Sequence, residues 1–76
     1  MKYVSGETAR VGDSVRLGTR ESGVVVCSID AGEYSDEYSS NDWRYLEQGI
    51  LVELECTGLV HFPEEDPELR LFERGL

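Results

Sequence analysis

The chain has 76 residues, 39% of them hydrophobic, and sixteen acidic groups against seven basic ones give a net charge of −9. That length predicts a single domain, residues 1–76, near the lower size at which a hydrophobic core holds a fold unaided, and the apolar share is too high for a disordered chain. No apolar run approaches the roughly 20 residues of a membrane span, which excludes a helical transmembrane protein.

The first residues, Met1 to Gly6, carry one positive charge and then turn polar. They lack the apolar stretch of a secretory signal, so a cytoplasmic location is expected. Gly12-Asp13 is turn chemistry, and the alternation of Val15 and Leu17 with Ser14 and Arg16 predicts a half-buried strand. A polar connection from Gly18 to Gly23 follows. Residues 24–29, Val-Val-Val-Cys-Ser-Ile, form the strongest strand signal, because β-branched side chains suit a pleated sheet. The run is apolar on both faces at its start.

Residues 30–48 interrupt the pattern. Asp30-Ala31-Gly32 is a turn, and Glu33 to Tyr38 shows neither a helical nor a strand period. Ser39 stands three residues before Asp42, a capping-box spacing, which predicts a short helix over residues 42–48 closed by Gly49. Beyond it Ile50, Val52, Leu54 and Cys56 alternate with Leu51, Glu53 and Glu55. With a Thr57-Gly58 turn, residues 50–62 should be a β-hairpin. Pro63 to Pro67 encloses an acidic connection that stops sheet pairing, and Leu69, Leu71 and Phe72 mark a last strand. The expected fold is mainly β: a small five-stranded closed or half-open barrel with one short helix or 3-10 turn around residues 42–48. The alternative is an open α+β arrangement with that helix across one sheet face.

The charge is unevenly placed. Residues 30–68 hold twelve acidic groups and only Arg44, a net of −11, while the flanking segments are each +1. Such a field repels phosphate backbones, which argues against direct nucleic-acid binding, and it speeds the approach of a basic protein. The plainer reading is that an acidic surface aids solubility. Cys27 and Cys56, both among apolar neighbours, are expected to be buried free thiols. With no CxxC pair and one histidine, no metal site is expected.

Val11-Gly12-Asp13-Ser14-Val15-Arg16-Leu17, followed by Gly23-Val24-Val25-Val26, resembles the opening of SH3-like barrels, including KOW-type domains. The resemblance covers residues 8–29 and implies fold more than function. KOW-type members often bind RNA or ribosomal protein, and others in the wider group are toxins that cut RNA. This chain departs from both in its charge. In size and acidity it is also similar to the small immunity proteins of bacterial toxin systems, which neutralise toxins that are commonly basic nucleases.

Four of the seven aromatic residues, Tyr34, Tyr38, Trp43 and Tyr45, lie among Glu33, Asp36, Glu37 and Asp42. Aromatic side chains offer rigid contact area and carboxylates pair with arginine or lysine, so these residues, with the outward Glu53 and Glu55, are the candidate partner-binding surface. The competing reading is that Trp43 and Tyr45 anchor the segment to the sheet; Tyr34 and Tyr38 are expected to be exposed. An aromatic cage for a methylated ammonium uses the same residue types. Catalysis finds no support: there is no serine–histidine–acid pattern and no phosphate loop, and His61 sits in a strand. The acidic run 64–68 fits no calcium loop. The expectation is a non-enzymatic binding module without cofactor or membrane contact, a monomer or weak homodimer with a basic protein partner, a toxin being one candidate. An accessory SH3-like domain whose acidity only solubilises it is the alternative; salt-insensitive binding through a sheet edge would mark it.

Overall fold

The computed structural model describes residues 2–74. Its elements are β1 (Ser14–Leu17), β2 (Glu21–Ser28), β3 (Glu33–Tyr34), α1 (Ser40–Trp43) with a 3-10 turn (Arg44–Leu46), β4 (Ile50–Leu54), β5 (Gly58–Phe62) and β6 (Leu69–Glu73). All strands belong to one antiparallel sheet, ordered β5-β4-β2-β1-β6, with β3 beside the end of β2. β2 is the hub. β1 pairs with its first half and β3 with its last two residues on one side, while β4 takes the other side.

Six strands replace the expected five, because Tyr34 and Glu33 pair with Cys27 and Ser28 in a segment that shows no strand period. The sheet is not closed into a barrel, since β5 and β6 do not pair with each other among the described residues. The acidic connection explains why. Asp66 accepts from the Glu68 and Leu69 amides, and the Glu68 carbonyl accepts from Gly18, so β6 is delivered to β1 rather than to β5. The sheet nevertheless curls around one core. Val15, Val25, Ile50, Val52, Phe62 and Leu69, drawn from five strands, pack together with Tyr3 and Ala9.

Register accounts for the second apolar layer. The β2–β4 pairing passes from Val25↔Val52 to Cys27↔Leu51, leaving Val26 as a bulge. Val25 therefore joins the inner core, and Val26, Cys27, Ile29 and Leu51 form a cluster on the outer face. The 30–48 segment covers this cluster with Tyr34, Tyr38, Trp43 and Leu46. In that respect the chain follows the open alternative, with its helical segment across one sheet face. The helix itself starts and stops earlier than the predicted 42–48. Ser39 is its N-cap, but its hydroxyl reaches the Asp42 carboxylate at 3.2 Å and makes no bond to a backbone amide. Glu47, at φ 70, takes the left-handed turn expected of Gly49. Gly49, at φ 90, is left-handed as well, and a Cβ there would also collide with the Phe62 carbonyl.

Gly12-Asp13 forms the predicted turn, and Asp13 is fully buried. Its Oδ2 accepts from the Tyr3 hydroxyl at 2.7 Å and the Arg10 amide at 2.9 Å, and Arg74 lies 3.6 Å away. Arg74 also donates to the Thr8 carbonyl at 3.0 Å. A buried carboxylate is costly unless paired, so this network ties both ends of the described chain to the start of β1. Burial, and then the bond to the Asp13 carboxylate, pushes the Tyr3 hydroxyl well above the ordinary tyrosine range.

Candidate functional site

The 30–48 segment leaves and rejoins the sheet at one neck. The Ile29 amide donates to Gly49 O at 2.9 Å, and the Gly49 amide donates to the Asp30 carboxylate at 3.1 Å. Inside the neck, β3 and the Ser35 amide, which donates to Val26 O, hold the chain against β2. That placement lays Tyr34, Tyr38 and Trp43 over the outer cluster, and all three are half-buried. Tyr34 and Tyr38 are thus less exposed than expected. Tyr45 is no anchor; it is 69% exposed, because the 3-10 turn directs Leu46 inward instead.

Three candidate residues come together. The Tyr38 and Trp43 rings are 6.1 Å apart, tilted by 49°, and the Tyr38 hydroxyl lies 3.5 Å from the Glu53 carboxylate, at the limit of a hydrogen bond. Partial burial, then the charges of Glu53 and Glu37, raise the Tyr38 hydroxyl above its usual value. Asp36, Glu37 and Asp42 are exposed on the same segment, and Glu53 and Glu55 are exposed on and just beyond β4. Among the described residues these five carboxylates enter no ion pair. Glu33 goes elsewhere. It pairs with Arg10 at 2.7 Å, and that bond holds its carboxyl below the usual range.

Cys27 is buried as expected, and burial raises its thiol. Cys56 is exposed, contrary to expectation. β4 ends at Leu54, and Cys56 falls in the turn to Gly58 rather than on the strand face. The Glu21 carboxylate holds that turn, accepting from the Cys56 and Thr57 amides and the Thr57 hydroxyl at 2.6–2.9 Å. The bonds from Thr57, then that from Cys56, lower the Glu21 carboxyl.

Sequence reasoning passed over Val24 and Leu59, which flank the candidate Glu53 in an outward row across β2, β4 and β5. Val24 and Leu59 are 43% and 38% exposed, and Phe72 is exposed with the Arg16 guanidinium 4.5 Å above its ring. Alternation alone requires one of three consecutive valines to face away from the core, so the signal was present. An open polar depression of about 240 Å³ adjoins Glu55, lined also by Arg16, Thr19, Arg20 and Glu21.

Among the described residues no group of three or more histidines, cysteines or carboxylates is placed to hold a metal ion, and no helix is long and apolar enough to cross a membrane. No family model matches the chain, and no curated protein or solved structure matches it either.

Proposed function

We propose that the chain is a non-enzymatic protein-binding module of the immunity or inhibitor kind, which takes a basic partner on the face formed by the 30–45 segment and β4. The carrying observation is five exposed carboxylates, Asp36, Glu37, Asp42, Glu53 and Glu55, that enter no ion pair among the described residues, with Glu53 and Glu37 near the half-buried Tyr38, whose ring lies by Trp43. Unpaired surface carboxylates attract and orient a basic protein, and aromatic rings already fixed by packing lose little freedom on contact. With β3 set aside, the strands run as a meander whose last member returns beside the first, which supports reading the sheet as an SH3-like half-open barrel. A cytoplasmic setting and the absence of a cofactor belong to the same reading.

The test replaces Asp36, Glu37, Glu53 and Glu55 together by Asn and Gln, all at exposed positions, so that folding is preserved. Affinity capture from the source cell with the unmodified chain should retain a basic protein that is released by added salt and not retained by the variant. Equal retention by both chains would show that this face is not the site.

A further inference from the structure

The two terminal strands of the sheet are protected very differently. β6 carries Arg70 and Glu73, its pairing with β1 is broken by a register shift at Ser14/Val15, and residues Tyr3 to Ser5 share a depression with Arg70 and Leu71 beside it. Charge, irregularity and cover are the usual means of keeping an edge from pairing with another chain. β5 (Gly-Leu-Val-His-Phe) has none of them. It contains no Lys, Arg, Asp, Glu or Pro, its register with β4 is unbroken over all five residues, and among the described residues it pairs with β4 alone.

We infer that β5 is a strand-addition edge, where an extended segment of the partner with basic side chains pairs along Gly58–Phe62. The inference rests on the basic-partner reading above and specifies how that partner is held. Charge selects the occupant. Glu53 lies opposite Leu59 on the neighbouring strand, and the exposed Glu64 and Glu65 follow β5 after Pro63. A second copy of this chain, at −9, would meet like charge along the same edge.

The geometry gives a side-chain rule. An added strand lies about 5 Å from β5 and about 10 Å from β4. A lysine or arginine opposite Leu59 lays its aliphatic stem on that exposed side chain and carries its charged head to the Glu53 carboxylate. His61, the next outward residue, is already turned to the Gln48 carbonyl at 2.8 Å and leaves Leu59 as the outward contact. Inward side chains of the added strand meet the half-buried Val60, so alternating basic and apolar residues fit best.

The probe is a short synthetic peptide of alternating lysine and valine, added at low salt to the isotopically labelled full chain and followed by amide NMR and hydrogen exchange. Two further versions carry backbone N-methyl groups on one or the other alternate set of residues. Only one set of amides faces a neighbouring strand, so one methylated peptide should bind like the parent and the other at least about tenfold more weakly. Slowed exchange should be confined to Gly58–Phe62. If both methylated peptides match the parent and the shifts gather on Asp36, Glu37 and Tyr38, the edge assignment is overturned while the basic-partner reading stands. Failure of every peptide to bind at low salt overturns both.

Discussion

On the inner face of the sheet Val25, Ile50, Val52 and Leu54 are sealed by the curl of the sheet itself. On the outer face Val26, Cys27 and Leu51 are sealed by a loop, and Val24 is left uncovered. The same two strands supply both sets, so the difference lies in what covers them. A curled sheet can open only by breaking several ladders together, whereas the 30–48 segment is held by a two-residue strand, a one-turn helix and partly exposed rings. Stability should therefore concentrate inside and adaptability outside, where the candidate binding residues are.

Truncation on each side is the most direct way to break this comparison. Ile50→Ala removes a fully buried side chain from the inner core and should cost about 2–5 kcal/mol, a large part of the stability of so small a domain. Trp43→Ala removes a larger side chain from the outer cover, yet its half-exposure should hold the cost to about 2 kcal/mol. Urea unfolding measures both, and equal losses would contradict the division into a firm inside and a looser outside.

The pH limits sharpen it. Tyr3 has a raised folded-state pKa, so its contribution is fully present below the ordinary value near 10.0 and fades as pH rises beyond it, when the unfolded chain ionises first. Tyr3→Phe should remove this alkaline loss; an unchanged alkaline limb in thermal melts would count against the Asp13 network as an inner-core anchor. Glu21 has a lowered pKa, so its contribution is present above the usual 4.5 and is lost as pH falls through the folded value. Glu21→Gln should flatten the acid limb, with the largest amide-exchange change at Cys56 and Thr57. The smallest expected effect is that of Tyr45→Ser, within about 0.5 kcal/mol, because this ring touches neither apolar layer. A larger loss would mean that the ring is an anchor after all.

Most strands were legible from local pattern. The alternation through Ile50, Val52 and Leu54, the Thr57-Gly58 turn and the Gly12-Asp13 turn each state their geometry within a few residues, and each is where it was expected. The candidate site was legible as a composition and less so as a surface. Asp36, Glu37, Asp42, Glu53 and Glu55 are exposed as polar residues should be, but the roles of the aromatics were exchanged: Tyr34 and Tyr38 cover the outer cluster, and Tyr45 faces solvent. Which ring packs depends on β3 docking beside Cys27, a contact no local period announces.

The sequence by itself therefore determined a mainly β chain, its hairpin, its two central turns and the placement of its charge, because these follow from alternation, turn chemistry and counting over short spans. Only the tertiary structure decided the rest. It set the Val26 bulge that divides one apolar run between two layers, and it left the sheet unclosed because the acidic connection hands β6 to β1. It placed Asp13 at the centre of a buried network and Cys56 in an exposed turn. Each of these depends on register between strands distant in the chain, where a shift of one residue reverses which side chain faces the core.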